Sequence, residues 1–261
     1  MSRIASVFIQ PSHKVLIPYV TIGYPSIEAT LRAVSLFAEN DCDIVELGIP
    51  FSDPLADGAT IQKASFHALQ NGVTPKLCLE VAKELSQKVS LPLVFMTYFN
   101  PVFSHGIEEF CTACAESNID GLIVPDLPPE EGLELEIASQ RHGLDLIYLL
   151  APNSNEERIR LVAERSRGFI YLVSVTGLTG VRDRLPPDLE GFVLRVRKIA
   201  KQPLCVGFGI STPEQAKQVA KVADGVIVGS RIVQLMEAGN ESMVLLQDFM
   251  RKLKSALDTH S

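Results

Sequence analysis

The run Asp43-Ile44-Val45-Glu46-Leu47-Gly48 is short, aliphatic and carries one acid in its middle. Period-two alternation places Ile44, Glu46 and Gly48 on one face and Val45 and Leu47 on the other, which is the pattern of a strand. Seven similar runs recur along the chain: Leu16–Thr21, Leu93–Tyr98, Gly121–Pro125, Asp145–Leu150, Phe169–Ser174, Pro203–Gly207 and Gly225–Gly229. Between them lie stretches with helical spacing, such as Leu77, Val81 and Leu85, or Val193, Val196 and Ile199. Alternating strands and helices imply a parallel sheet, and the scarcity of polar residues in the runs fits strands covered on both faces. Eight such units in 261 residues predict an α/β fold, a single-domain (β/α)8 TIM barrel spanning residues 1–261. No composition shift or low-complexity linker marks a second domain.

Several helical stretches end in a small turn and an aspartate just before the next strand, at Asp43, Asp120, Asp145 and Asp224. These acids stand at strand starts, the bottom of a barrel, and are expected to serve stability. Two connections break the pattern by being long: Ile49 to about Thr74 after strand two, and Val175 to about Pro187 after strand six. Both follow the carboxyl ends of strands, where barrel enzymes keep their chemistry.

With 24 Lys+Arg against 31 Asp+Glu the formal charge is −7, which argues against a nucleic-acid partner. No stretch approaches the roughly 18–20 apolar residues of a membrane span. Cys42, Cys78, Cys111, Cys114 and Cys205 are few and odd in number, without a secretory signature, so reduced thiols and a cytoplasmic location are expected.

Glu46 is the most informative residue. With Val45 and Leu47 packed outward, it points into the barrel near its upper rim. None of the eight runs contains Lys or Arg, so the carboxylate has no evident cation beside it and is a candidate general acid or base. The loop Pro50-Phe51-Ser52-Asp53-Pro54-Leu55-Ala56-Asp57-Gly58 follows directly, and its prolines and glycine point to a defined course. Asp57 supplies a second carboxylate, and two acids in different environments can divide the proton transfers of one reaction. Glycine-bearing segments follow strands six, seven and eight: Thr176-Gly177-Leu178-Thr179-Gly180, Gly207-Phe208-Gly209-Ile210-Ser211 and Gly229-Ser230. They suggest a phosphate site built from backbone amides. His13, His67, His105, His142 and His260 are scattered, and Cys111-x-x-Cys114 lacks a second ligand pair, so no metal is expected. Neither the dinucleotide nor the P-loop glycine formula is met.

The stretches Pro18–Pro25, Glu46–Gly58, Met96–Pro101, Val124–Pro128 and Val206–Ser211 resemble the tryptophan synthase alpha subunit family, and together they extend over most of the chain. One departure is Tyr24, where many members carry Asp. The resemblance implies cleavage of indole-3-glycerol phosphate into indole and glyceraldehyde 3-phosphate, in tryptophan biosynthesis, with no cofactor on this chain. It also implies a partner, the pyridoxal-phosphate beta subunit, in an alpha2beta2 tetramer. By the same correspondence Glu46 is the acid/base at indole C3 and the glycerol hydroxyl, and Asp57 the acceptor near the ring nitrogen. Tyr171 and Thr179 stand by the substrate, and Gly180, Phe208, Gly209, Gly229 and Ser230 hold its phosphate.

Other phosphate-sugar barrels, a metal-using epimerase or a Schiff-base lyase, call for His or Lys at strand ends, and this chain has neither there. A non-catalytic barrel that only activates a partner is disfavoured by the presence of both Glu46 and Asp57. A stand-alone lyase releasing free indole shares every motif.

Overall fold

The computed structural model describes residues 1–10, 12–173, 188–207, 209–237 and 239–258. Its strands are β1 (Val15–Thr21), β2 (Val45–Gly48), β3 (Leu93–Met96), β4 (Gly121–Ile123), β5 (Asp145–Ile147), β6 (Leu149–Leu150), β7 (Ile170–Val173), β8 (Leu204–Gly207) and β9 (Gly225–Val228). They lie in the order β5-β4-β3-β2-β1-β9-β8-β7-β6, with every pairing parallel. The two ends of that order, β5 and β6, are separated in the chain only by Tyr148, so the sheet closes into the expected barrel.

Among the described residues nine strands stand where eight runs predict eight, because the fifth run is broken at Tyr148. The Tyr148 N–H donates to Ser166 Oγ at 3.0 Å, and the Tyr148 carbonyl accepts from Tyr171 N at 3.0 Å. The first half of the run therefore pairs with β4 and the second half with β7.

Residues of β1–β4, β8 and β9 are buried throughout. Alternation sorts them into two apolar layers. Val45, Leu47 and Phe95 face outward and pack with Phe37 and Leu85 of the surrounding helices, whereas Ile17, Ile44, Val94, Phe169 and Ile227 fill the interior. Burying each such side chain contributes about 1.5–3 kcal/mol. Several helices begin at side-chain caps: Ser26, Thr74 and Asn155 each accept a backbone N–H from the first turn, and Thr212 with Gln215 forms a reciprocal capping box.

The bottom is closed by a short helix, Arg3–Val7, whose Ile4 is fully buried in the interior cluster. The strand-start acids act there as anticipated. Asp43 accepts the Leu16 N–H at 2.8 Å, Asp120 that of Leu93 at 2.9 Å, and Asp224 that of Leu204 at 2.7 Å. Each carboxylate thus ties the start of its own strand to the start of a neighbour, while Asp145 accepts from the Ser2 hydroxyl.

One expectation needs correcting. The connection from Ile49 to about Thr74 is not one long loop, since it contains the helix Ala59–Gln70. Its buried stripe is Ile61, Ala64, Ser65 and Ala68, mostly small residues that leave a faint apolar period in the sequence. The loop proper runs from residue 49 to 58. The second connection, Val175–Pro187, lies outside the described residues. All five cysteines are buried and free. Among the described residues no helix is long and apolar enough to cross a membrane.

Candidate active site

The register of the parallel strands builds the site. Tyr19 of β1 lies beside Glu46 of β2, and Val94 of β3 lies on its other side. Neighbours in register share a face, so all three belong to the interior layer. Glu46 is 1% exposed, and neither of its carboxylate oxygens has a hydrogen-bond partner among the described residues. Buried polar atoms are nearly always paired, so an orphaned carboxyl needs a reason. Desolvation alone pushes its pKa up to about 8, which leaves the group largely protonated at neutral pH.

Asp57 comes from the rim loop after β2 and is 7% exposed. Tyr98 Oη donates to Asp57 Oδ2 at 3.1 Å and accepts the Ala56 N–H at 2.9 Å, while the Gln62 amide donates to the Asp57 carbonyl. The Tyr98 ring is itself stacked on Phe51, with centroids 5.2 Å apart. These contacts give the loop its defined course. Burial raises the Asp57 pKa to about 6, against the lowering effect of the Tyr98 hydrogen bond. Two carboxyls of one site are therefore held in different protonation states at pH 7.

A cavity opens over both acids. Tyr19, Ile61, Met96, Tyr171 and Ile227 form its apolar wall, and Gly209, Gly229 and Ser230 form the polar side. Two strand-end glycines make room for the tyrosines. A Cβ on Gly48 would stand 2.1 Å from Tyr19 Oη, and one on Gly207 would stand 2.3 Å from Tyr171 Oη. Burial, reinforced by the acids, drives the pKa of both phenols up, so they remain neutral.

Of the residues singled out from sequence, Glu46, Asp57, Tyr171, Gly209, Gly229 and Ser230 meet in this one cavity. Thr179, Gly180 and Phe208 lie outside the described residues, as does His260. Asp53 is exposed, and its carboxylate accepts from the Ser52 hydroxyl. Sequence reasoning assigned no role to Tyr19 or Tyr98. Tyr19 had a usable signal, an aromatic residue inside an apolar strand on the interior face. Tyr98 had none, since its contact with Asp57 joins residues far apart in the chain. Among the described residues no group of three or more His, Cys, Asp and Glu side chains is placed to hold a metal ion.

A family profile described as tryptophan synthase alpha chain matches residues 6–258. The tryptophan synthase alpha chain of Dehalococcoides mccartyi is 57% identical over 258 residues, covering 99% of this chain and 100% of that one. That of Geobacter sulfurreducens is 48% identical and covers 91% of each. Among solved structures, tryptophan synthase subunit alpha from Legionella pneumophila superposes with a TM-score of 0.92 at 34% identity, covering 99% of both chains. Mycobacterium tuberculosis tryptophan synthase gives 0.90 at 38%, covering 98% of both.

Proposed function

The chain belongs to the tryptophan synthase alpha chain family, and from that premise we propose that it cleaves indole-3-glycerol phosphate through the acid pair Glu46 and Asp57. The products are indole and glyceraldehyde 3-phosphate, and the reaction needs no cofactor on this chain. The observation that carries the residue assignment is Glu46: a buried carboxyl without a hydrogen-bond partner among the described residues, facing the same cavity as a second acid.

The neutral Glu46 carboxyl gives its proton to indole C3. As the bond from C3 to the glycerol chain breaks, its electron pair returns to the ring. The Glu46 carboxylate then takes the proton of the glycerol hydroxyl, whose carbon becomes the aldehyde, and Glu46 ends protonated as it began. Positive charge develops on the ring nitrogen during the first step. Asp57, ionised above its pKa of about 6, accepts the ring N–H and stabilises that charge. Tyr171 borders the indole. The phosphate rests on the backbone amides at Gly209, Gly229 and Ser230, joined by Thr179, Gly180 and Phe208 on the family correspondence; such amides bind anions without a cationic side chain. Residues 1–261 serve as one barrel domain working in the cytoplasm.

Gly229→Asp tests the phosphate position. A Cβ there would already stand 3.3 Å from the Tyr19 ring, and the added carboxylate brings a like charge to the glycine proposed to hold the phosphate. Calorimetry with glycerol 3-phosphate is expected to show at least a tenfold weaker affinity, and unchanged affinity in a folded variant moves the phosphate elsewhere.

The partner is the beta subunit, which consumes the indole. The loop carrying Asp57 also carries the exposed Asp53 and Leu55, the latter 83% exposed, so docking on this rim acts directly on the loop that aims the acid. Saturating beta subunit is expected to raise kcat as docking aligns the acid pair, and Asp53→Ala to blunt that rise. The assay follows substrate consumption during a titration with partner. A wild-type rate that ignores the partner favours a stand-alone lyase.

A further inference from the structure

Tyr24 stands in the turn that follows β1 and is 4% exposed. Its backbone is held by a turn, with the Tyr24 N–H donating to Thr21 O at 3.1 Å. Its ring belongs to the interior cluster together with Ile61 and Val233, and packs edge-on to His67 with centroids 5.3 Å apart. Its hydroxyl donates to Glu237 Oε1, and Lys63 Nζ donates to the same carboxylate oxygen at 2.7 Å.

These contacts join two helices with separate duties. Lys63 and His67 sit on Ala59–Gln70, which begins directly after Asp57 and Gly58 and places Ile61 in the cavity wall. Glu237 caps the end of Ser230–Met236, which begins at the proposed phosphate site. The Lys63–Glu237 ion pair is exposed on the lysine side, at 67%, and such pairs contribute little by themselves. The buried phenol anchored on β1 is the firmer link.

We propose that Tyr24 is a positioning residue: through Glu237 its hydroxyl sets the distance between the helix that directly follows the ring-binding acid and the helix that receives the phosphate. The proposal rests on the functional reading above. A substrate gripped at its phosphate and cleaved at its ring end needs that distance fixed, because small misplacements of reacting groups are costly in rate.

The test compares Tyr24→Phe, Glu237→Leu, the double variant and Glu237→Gln. Tyr24→Phe keeps the ring and its packing. It is expected to lower kcat about 5- to 10-fold while the affinity for glycerol 3-phosphate stays within about twofold of wild type, since the phosphate amides remain. Glu237→Leu should match it, the double variant should be no worse than either, and Glu237→Gln, which still accepts from the phenol, should keep most of the rate. A Tyr24→Phe kcat within twofold of wild type, or multiplying effects in the double variant, overturns the proposal. Hydrogen exchange reads the link without turnover: the last turn of Ser230–Met236 and the amides from Lys63 to His67 should exchange faster in Tyr24→Phe, and unchanged exchange overturns it as well. A wild-type chain inert toward indole-3-glycerol phosphate overturns the functional reading instead.

Discussion

Glu46→Gln is expected to fold normally, to lose about 10²- to 10⁴-fold in kcat, the range for a lost general acid–base group, and to gain stability at alkaline pH. The two effects share one cause. Burial raises the Glu46 pKa from 4.5 to about 8, so between those values the folded chain holds a proton that the unfolded chain has released. Stability from this group is complete below pH 4.5 and is lost as pH rises toward 8, by up to about 5 kcal/mol. Gln carries no such charge and escapes the loss. Thermal unfolding at pH 8.5 should therefore show the variant melting above wild type, while at pH 5 the difference shrinks. An inactive variant that also melts lower at pH 8.5 would mean that Glu46 is paired in solution, and a variant near wild-type kcat would remove it from the mechanism.

Asp57→Asn is expected to lower kcat by about 10²-fold and to raise KM much less. The ring nitrogen carries little charge in the bound substrate and gains it as C3 is protonated, so a charged acceptor is worth most in the transition state. Asn still offers an oxygen to the Tyr98 hydroxyl, which keeps the loop in place. The pH profile separates the two acids. Wild-type kcat/KM should be bell-shaped, falling below about pH 6 as Asp57 is protonated and above about pH 8 as Glu46 is deprotonated. Asp57→Asn should erase the acid limb and keep the alkaline one. A raised KM at unchanged kcat would make Asp57 a binding residue instead.

Much of this was legible from period two alone. A single acid in an aliphatic run whose odd residues face helices has to face the barrel interior, and Glu46 does. Asp57 was legible because the loop after that strand carries two prolines and a closing glycine that give it a defined course, so its acid stays above the rim. What escaped was set by contacts distant in sequence. Nothing in Asp145–Leu150 reports that Tyr148 N–H will turn to the hydroxyl of Ser166, so one strand was expected where two exist. The helix Ala59–Gln70 was hidden by its small buried residues, whose role is to let it approach β1 and Ser230–Met236 closely. Tyr24 shows the same limit: its sequence neighbours mark a turn, while its partner Glu237 comes from the last strand–helix unit.

The pairing of β1 with β9 has a bearing on assembly. Most neighbouring strands are joined through one intervening unit, so β1 meets β2 through residues as near as Tyr19 and Glu46. The β1–β9 contact joins Val15 to Gly225, and tethering ends that far apart costs roughly 2 kcal/mol more in loop entropy. Such long-range pairings raise contact order and slow folding. Consecutive units are thus expected to associate first, as an open arc with β1 and β9 at its free edges. Until that arc joins, Tyr19 on one edge and Gly229 beyond the other remain apart, so a cavity able to bind substrate exists only after the two ends of the chain have met.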